Sequence, residues 1–321
     1  MLVHRDLDHL PAFQRAVLTI GTFDGVHCGH RQVIRQLRET AAACNGESVI
    51  ITFEPHPREV LFPGNNDLHL LNTLDEKIRL LEQQGVDHLV IVPFTNAFSS
   101  QPAAAYIEDF LVRRFCPYRI IIGYDHHFGH QRQGNIGLLR EVEARYGFRV
   151  VEIPPQVVHH LTVSSTKIRE HLEAGHVALA NELLGYDYFL SGTVVHGDRR
   201  GRELGYPTAN IRPADKRKLI PGSGIYAVRA RLDPAGGDGS ALPEASSWLP
   251  AVMSIGYRPT FNGTDLRVEV HIFDFSADIY DRMLTVSLCD FIRPELKFEN
   301  AEALVRQIEQ DAQTAREMLI R

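Results

Sequence analysis

The chain has 321 residues, more than one hydrophobic core usually holds, so two domains are expected. Its composition, 44% hydrophobic and 23% charged with a formal net charge of −6, is typical of a soluble globular protein and argues against a nucleic-acid partner. No apolar run could span a bilayer, no signal peptide opens the chain and the four cysteines show no paired spacing, so we expect a cytoplasmic protein without membrane partner, disulfide framework or zinc knuckle.

The first half of the sequence alternates short apolar runs with helical patterns. The runs are rich in Val and Ile, as strands buried on both faces should be, and they cover Val17–Ile20, Val49–Phe53, His88–Pro93, Arg119–Gly123 and Phe148–Ile153. Helical spacing is found through Val33, Ile34, Leu37 and Ala41, and then over about Asp75–Gln84, Ala103–Phe115 and Ile136–Tyr146. This alternation predicts an α/β fold with a parallel, doubly wound sheet.

The loop "GTFDGVHCGH" joins the first predicted strand to the first helix, where ligands bind in sheets of this kind. Its glycines would let the backbone approach a phosphate, and the helix behind it offers free N–H groups. His27 and His30 could hold a triphosphate and stabilise charge at the attacked phosphorus. Two alternatives stay open here: a metal site of His27, Cys28 and His30, and a plain turn with surface histidines.

A second candidate anion site lies in "VSSTKIREHLEAG", at the start of another predicted helix. Lys167 and Arg169 lie in its first turn, where cations are unfavourable next to the positive end of the helix dipole unless an anion binds there. The alternative is an ordinary helix cap with solvated basic residues. The candidate capping residues are Ser164, Ser165 and Thr166.

Near Gly185 the pattern changes to alternating β-type sequence, which begins in Tyr186–Gly197. A small antiparallel barrel with a terminal helix packed on it is predicted, and Leu232–Trp248 is expected to be a flexible hairpin insertion. The later strand candidates are Ile225–Leu232, Ala251–Tyr257, Arg267–Phe273 and Met283–Phe291. The terminal helix, Ala301–Leu319, carries an apolar stripe of Leu304, Ile308, Ala312, Ala315 and Leu319.

The chemistry of the second half lies in "HGDRRGRELGYPTANI", a glycine- and arginine-rich loop suited to an anion. Thr208 and Asn210 share one face if this segment is extended, and neutral oxygens beside a phosphate suit Mg²⁺. Glu269 alternates with His271 on another predicted strand, and Glu269 is the candidate general base for a substrate hydroxyl. The alternative is a surface carboxylate on a half-exposed strand.

The motifs of the first half resemble those of known nucleotidyltransferases. "HCGH" matches the H-x-G-H signature of the adenylyl- and cytidylyltransferase superfamily, whose fold is Rossmann-like, and "VSSTKIREHLEAG" is similar to its S-S-T-x-I-R element. "TFEPHP", "GYDHHFGHQRQG" and Lys77 narrow the resemblance to the FMN adenylyltransferase module of bacterial bifunctional riboflavin kinase/FAD synthetases. The sequence departs from the family pattern at His126, where an aromatic residue is usual.

This resemblance implies roles for the loop residues of the first half. His27, His30 and Arg169 are expected to be catalytic. The implied ATP-binding residues are Gly21, Phe23, Asp24, His27, His30, Ser164, Ser165, Thr166 and Arg169. The implied FMN-binding residues are Asp125, His127, Phe128 and Arg132. From the residues alone, a metal cluster of His126, His127 and His130 stays open as the alternative to a polar loop.

The second half resembles the riboflavin kinase module of the same family through "GRELGYPTANI", "GIYAV", "SIGYRPTF", "EVHIFDF" and "IRPELKF", in this order. The resemblance implies that Thr208 and Asn210 are the metal and phosphate ligands and that Glu269 is the base acting on the ribityl 5′-hydroxyl. Ser254 replaces a usual Asn and Asp281 a common Gly. The implied phosphate loop consists of Gly201, Arg202, Gly205 and Pro207.

These observations predict a bifunctional enzyme with an adenylyltransferase domain over 1–185 and a riboflavin kinase domain over 186–321. The kinase would convert riboflavin and ATP to FMN with Mg²⁺, and the other domain would join AMP to FMN, with flavin as substrate and product rather than redox group. No protein partner is predicted. Two other hypotheses remain: an FAD synthetase whose barrel only binds flavin, and a nucleotidyltransferase with a different acceptor.

Overall fold

The structure is a computed structural model. It describes residues 1–64, 68–123, 126–153, 163–197, 201, 204–233, 247–260 and 263–320. The chain forms two compact units, Met1–Ser165 and Thr166–Arg321. Among the described residues, no helix is long and apolar enough to cross a bilayer.

The first unit is built on a parallel sheet with the spatial strand order β1-β4-β3-β2-β5-β6. The strands are β1 Leu2–His4, β2 Val17–Ile20, β3 Ser48–Glu54, β4 His88–Pro93, β5 Arg119–Gly123 and β6 Arg149–Ile153. The middle strands are almost entirely buried, because their Val, Ile and Leu side chains enter apolar layers on both faces. The chain leaves β2 toward β3 on one side while β5 lies on the other, so the order reverses beside β2.

Helices connect these strands, as the sequence pattern predicts. They are α1 Cys28–Ala43, α2 Pro57–Leu61, α3 Leu74–Gln83, α4 Asn96–Ser99, α5 Ala103–Ala105, α6 Arg113–Phe115 and α7 Ile136–Tyr146, with a 3₁₀ turn at His130–Arg132. Helix α1 packs on β2 and β3 through Ile34, Leu37 and Ala41. Thr73 and Glu76 form a reciprocal capping box that begins α3.

The helix predicted over Ala103–Phe115 is present, but its middle is a π-helix, Tyr106–Val112. The sequence did not indicate this wider turn. Four side chains of this π-helix lie in the core of the unit, and these are Tyr106, Ile107, Phe110 and Leu111. The edge strand β1 was not predicted either, because three half-exposed residues carry too little pattern.

The second unit is a closed antiparallel barrel with the strand order β10-β11-β8-β7-β12-β9. The strands are β7 Phe189–Val195, β8 Ala209–Pro213, β9 Gly224–Leu232, β10 Leu249–Thr260, β11 Gly263–Ile272 and β12 Met283–Arg293. Two helices, α8 Ser165–Glu173 and α9 Val177–Leu184, precede them. Strands β9 and β10 pair antiparallel as a hairpin does, but residues 234–246 of the predicted insertion lie outside the described residues.

The terminal helix α10, Ala301–Leu319, packs on β9, β10 and β12 as predicted. Its apolar stripe divides into two parts. Ala312, Ala315 and Leu319 join a barrel-side cluster with Ala227 and Val252. The stripe's other members, Leu304 and Ile308, line a cavity beside the barrel. The predicted fold class, a parallel-sheet α/β domain followed by a small barrel with a terminal helix, is confirmed.

Candidate functional sites

The first candidate site is the loop of residues 21–27, which leaves the carboxyl end of β2 and enters α1. Three residues of the loop take positive φ angles, namely Phe23 (48°), Gly25 (87°) and Val26 (37°). A β-branched residue such as Val26 rarely adopts this conformation, so the surrounding structure must hold it. The loop therefore has an enforced shape at the point where a doubly wound sheet binds ligands.

Asp24 anchors this loop from within. Its buried carboxylate accepts hydrogen bonds from the backbone N–H groups of Leu71 (3.0 Å) and Asn72 (3.3 Å). Its backbone carbonyl accepts a hydrogen bond from the Ser165 hydroxyl at 3.0 Å. The predicted ATP residues Asp24 and Ser165 are thus in direct contact. The Asp24 side chain holds the loop in place through its hydrogen bonds with the backbone of Leu71 and Asn72.

His27 is the N-cap of α1, and its Nδ1 accepts a hydrogen bond from the backbone N–H of His30 at 3.3 Å. Because Nδ1 is an acceptor, the neutral ring carries its proton on Nε2. The two imidazoles stack with ring centroids 3.7 Å apart. An added Cβ at Gly29 would lie 3.3 Å from the His27 ring, so glycine allows the ring to lie against the helix.

Both imidazoles of this pair are neutral, with His27 buried and His30 half-buried. Burial lowers the pKa of His27 to about 4. Burial lowers the pKa of His30 well below its usual value, and the charges of His27 and Lys77 lower it further. Within the described part of the chain, His30 Nδ1 is buried without a hydrogen-bond partner. A buried polar atom without a partner costs free energy, and a bound ligand could supply the missing partner.

The remaining predicted ATP residues come from two separate parts of the sequence, the loop after β2 and the start of α8. An added Cβ at Gly21 would lie 3.2 Å from the Phe23 ring, so glycine leaves room for this ring. Ser164 directly precedes α8, and Ser165 and Thr166 lie in its first turn. Arg169 follows Ser165 by four residues and so shares a face of α8 with it.

The predicted FMN loop is only partly described, because Asp125 lies outside the described residues. Phe128 is buried in the core and stacks on Tyr106 with ring centroids 4.9 Å apart. His127 Nδ1 lies 3.2 Å from the carbonyl oxygen of Arg132, a residue with φ of 59°. Phe128 therefore anchors a tight loop that presents His127 and Arg132.

Neither metal alternative is supported by the geometry. The described residues contain no group of three or more His, Cys, Asp or Glu side chains placed to hold a metal ion. This applies both to His27, Cys28 and His30 and to the histidines that follow Gly123. His126 instead lies with its ring 6.1 Å from that of Phe128.

The second candidate site lies on the barrel, where the predicted kinase residues come together. The Thr208 hydroxyl donates a hydrogen bond to Glu269 Oε2 at 3.3 Å. Asn210 on β8 is the register partner of Glu269 on β11, so the two side chains lie on one face. An added Cβ at Gly197 would lie 2.2 Å from the Asn210 amide, so glycine leaves the room that this amide occupies.

The predicted phosphate loop leads into Thr208. Gly201 accepts a hydrogen bond from Tyr206 N–H at 2.7 Å, and its absent side chain allows the close approach of the Tyr206 carbonyl. Gly205 has φ of +85°, which favours glycine. Pro207 accepts a hydrogen bond from His271 through its carbonyl at 2.8 Å, and Arg202 lies outside the described residues.

Thr208 lines two cavities of the barrel. One, of about 340 Å³, is lined by Gly201, Thr208, Ser254, Glu269 and His271 and by apolar side chains of α10. The other, of about 300 Å³, is lined by Pro207–Ala209 and by the loop Phe275–Tyr280. Glu269 lines only the first of these two, while Thr208 lines both.

The structure explains one departure from the family pattern and adds residues that sequence reasoning missed. Asp281 has φ of 60°, a conformation in which Gly is common and Asp is tolerated. Ser254 pairs in register with Glu269. Sequence analysis gave no role to the charged pair of Arg293 and Asp311 in the larger cavity, although Arg293 lies in the "IRPELKF" motif.

Comparison with known proteins gives a family for each half. A family model described as FAD synthetase matches residues 10–167, and one described as riboflavin kinase matches residues 184–319. The bifunctional riboflavin kinase/FMN adenylyltransferase of Haemophilus influenzae is 40% identical over 94% of each chain. The Escherichia coli protein of the same name is 38% identical over 94% of this chain and 92% of its own.

A solved structure extends this likeness to three dimensions. A crystal structure described as a macrolide-efflux protein from Streptococcus pneumoniae is 30% identical, with a TM-score of 0.85 over 98% of each chain. The name macrolide-efflux protein describes the protein from Streptococcus pneumoniae and is not applied to this chain. The match covers both units and therefore supports the fold over the whole chain.

Proposed function

The chain belongs to the family of bifunctional riboflavin kinases/FMN adenylyltransferases, and from this premise we propose which residues perform each of its two reactions. The enzyme phosphorylates riboflavin to FMN and adenylylates FMN to FAD. Riboflavin, FMN and ATP are therefore its substrates. We assign adenylyl transfer to residues 1–185 and the kinase to residues 186–321, a division that falls near the two family matches.

For the kinase, the hydrogen bond between Thr208 and Glu269 carries the proposal, because it joins a metal-ligand candidate to a base candidate at one cavity. Glu269 accepts the proton of the ribityl 5′-hydroxyl as that oxygen attacks the γ-phosphorus of ATP. ADP then leaves. Phosphoryl transfer depends mostly on positioning and charge stabilisation, so one base and a metal suffice.

The residues around Thr208 also fit Mg²⁺, which prefers oxygen ligands and keeps several waters. Thr208 and Asn210 would hold it with their hydroxyl and amide oxygens, in the space that Gly197 leaves beside Asn210. When bound with ATP, the ion would neutralise charge on the transferred phosphoryl group. Gly201, Arg202, Gly205 and Pro207 form the phosphate loop in this proposal.

The two cavities suggest how the kinase separates its substrates. The flavin must occupy the cavity that Glu269 lines, because the base has to reach the 5′-hydroxyl. ATP then occupies the cavity between Pro207–Ala209 and Phe275–Tyr280, on the other side of Thr208. Thr208 lines both cavities and so lies where the γ-phosphate would meet the hydroxyl.

For adenylyl transfer, His27 and His30 donate hydrogen bonds to the phosphates of ATP and stabilise the charge that develops as the FMN phosphate attacks the α-phosphorus. Pyrophosphate leaves in the same step, so no covalent enzyme intermediate is needed. Arg169 adds positive charge. The wider ATP set is Gly21, Phe23, Asp24, Ser164, Ser165 and Thr166, and the FMN set is Asp125, His127, Phe128 and Arg132.

Chromatography of the flavins tests the proposal. The purified protein is incubated with riboflavin, ATP and Mg²⁺, and riboflavin, FMN and FAD are separated over time. FMN followed by FAD supports both assignments. Riboflavin left unchanged while added FMN becomes FAD would mean that the barrel only binds flavin, and Ser254 beside Glu269 would be the first residue to restore to Asn.

We also propose a cytoplasmic location, which the four free thiols support.

A further inference from the structure

An ion pair lies inside the larger cavity of the barrel, away from the residues assigned to phosphoryl transfer. Arg293 at the end of β12 donates hydrogen bonds from Nε and Nη2 to the two carboxylate oxygens of Asp311 on α10, at 2.8 and 2.6 Å. The side chains are only 16% and 6% exposed, and both line the cavity. Gln307 donates a third hydrogen bond to Asp311 at 2.9 Å.

A buried ion pair of this kind is not explained by a contribution to the stability of the fold. Removing two charges from water costs free energy, and replacing a buried ion pair by apolar residues is often neutral or stabilising. The neighbouring lining of the cavity is apolar, with Leu304 and Ile308 on the same helix. A charged group kept in such a cavity is suited to recognise a polar part of a ligand.

Arg293 has hydrogen-bonding capacity left for a ligand. A guanidinium carries five N–H hydrogens. Two are donated to Asp311 and one, from Nη1, to the carbonyl of Pro294 at 2.8 Å. Within the described residues, one hydrogen on Nη1 and one on Nη2 remain. The three engaged hydrogens fix the plane of the group, so the remaining donors are already oriented before a ligand binds.

The strand register gives the distance from this pair to the base. Arg293 is the partner of Ile225 on β9, and Ile225 is the partner of Ser254 on β10. Ser254 is in turn the partner of Glu269 on β11. Since adjacent strands lie about 4.8 Å apart, the three steps make a path of about 14 Å along the wall of the closed barrel, and the straight-line distance between the two backbones is shorter. All four residues line the same cavity.

We propose that Arg293, held by Asp311 and Gln307, is a specificity-determining residue of the kinase that donates hydrogen bonds to the dioxopyrimidine ring of riboflavin. This inference rests on the proposed function, which places the ribityl 5′-hydroxyl at Glu269. In riboflavin, the ribityl chain and the central ring of the flavin separate the dioxopyrimidine ring from that hydroxyl. The dioxopyrimidine ring carries carbonyl oxygens, which accept hydrogen bonds. The dimethylbenzene ring of the flavin offers no acceptor to a guanidinium. Asp311 and Gln307 are positioning residues, because they act through Arg293.

The test compares the wild type with a double variant, Arg293→Met with Asp311→Leu, which leaves no unpaired charge in the cavity and so favours folding. The single variant Asp311→Asn weakens the support of Arg293 and keeps its charge. Arg316→Met is the matched control, because Arg316 makes a similar two-contact ion pair with Asp274 from the same helix, but at an exposed position outside the cavity. Steady-state kinetics are measured with riboflavin, 2-thioriboflavin and 4-thioriboflavin, whose sulfur atoms are poor acceptors.

The wild type is expected to prefer riboflavin over at least one thio analogue. The double variant should raise the KM for riboflavin about 10- to 100-fold, as loss of charged hydrogen bonds does, and should lose that preference. The KM for ATP and FAD formation from added FMN should stay unchanged. Asp311→Asn should raise the riboflavin KM less, and Arg316→Met should leave it unchanged.

Two other outcomes are distinguishable. An active wild type whose double variant keeps both the riboflavin KM and the preference, and changes only in melting temperature, would overturn the role of Arg293 and leave the proposed function intact. A wild type that forms no FMN from riboflavin would overturn the proposed function, and the role of Arg293 with it.

Discussion

The imidazole rings of His27 and His30 stack with centroids 3.7 Å apart and planes inclined by 16°. Two protonated rings in this arrangement would repel each other, and burial lowers the pKa of both. The two rings are therefore neutral near pH 7. In that state each ring can offer one N–H to a phosphate oxygen, and a bound polyphosphate would favour their protonation.

His30→Ala is expected to reduce FAD formation from FMN by at least about 100-fold, the loss seen when a preorganised donor to a developing charge is removed. FMN formation from riboflavin should be unchanged, because the kinase residues lie on the barrel. Both rates come from one chromatographic assay. A variant with undiminished adenylyl transfer would remove the catalytic role of His30.

Glu269→Gln is expected to reduce FMN formation and to leave FAD formation unchanged. Glutamine is nearly isosteric and can still accept the hydrogen bond from the Thr208 hydroxyl, but it cannot take up the substrate proton. FMN formation should fall about 100- to 10,000-fold, while FAD formation from added FMN stays at the wild-type rate. Loss of both activities would undermine the assignment of one reaction to each half of the chain.

The sequence predicted secondary structure correctly where a segment consists almost entirely of apolar residues. The apolar runs of β2, β4 and β5 predicted the bounds of these strands, because strands buried on both faces leave little ambiguity. Alternation placed Glu269 and His271 on one face, and both line one cavity. The three-residue strand β1 and the π-helix Tyr106–Val112 were missed, because tertiary packing decides them.

The contacts within the sites could not be predicted either, because they join residues that are far apart in the sequence. Arg293 and Asp311 are 18 residues apart on a strand and a helix, and nothing in the local pattern joins them. The contact of Ser165 with the Asp24 carbonyl spans 141 residues. Motifs indicated that such residues matter to the family, but the structure was needed to give their partners.

Thr208→Val and Thr208→Ser form a matched pair of variants at the proposed metal site. Valine keeps the shape of threonine without the hydroxyl, so both the metal ligand and the hydrogen bond to Glu269 are lost. We expect FMN formation to fall at least about 100-fold in Thr208→Val and to stay within a few-fold in Thr208→Ser. The Mg²⁺ concentration for half-maximal rate should rise only in the valine variant. Equal loss in both variants would point to packing of the methyl group instead.

Gly197→Ala tests the space beside Asn210. The added methyl group would lie 2.2 Å from the Asn210 amide, so the amide must move away from its place opposite Glu269. The kinase rate at saturating riboflavin should fall by at least about tenfold, as displacement of a positioning group does. FAD formation from FMN is the internal control. A kinase rate equal to that of the wild type would show that Asn210 is not needed in its present position.

Acid should destabilise the fold through His27. Its pKa is about 4 in the folded chain and 6.5 in the unfolded chain, so between these values the unfolded chain binds more protons. Stability is therefore fully present above pH 6.5 and is lost as the pH falls toward 4, by about 3 kcal/mol for this group.

His27→Asn separates this titration from the helix cap, because asparagine also accepts a hydrogen bond at an N-cap. The variant should keep its stability at pH 7 within about 1 kcal/mol and lose less of it on acidification, since one of the two imidazoles with a lowered pKa is gone. Urea unfolding of the ligand-free protein at a series of pH values between 4.5 and 7.5 measures both slopes. His9→Asn is the control, because His9 is exposed and its hydrogen bond with Asp6 raises its pKa, so its titration does not cause a loss of stability on acidification. Parallel pH dependences for the wild type and His27→Asn would mean that other groups carry the acid sensitivity and that the His27 ring is not held neutral by its burial.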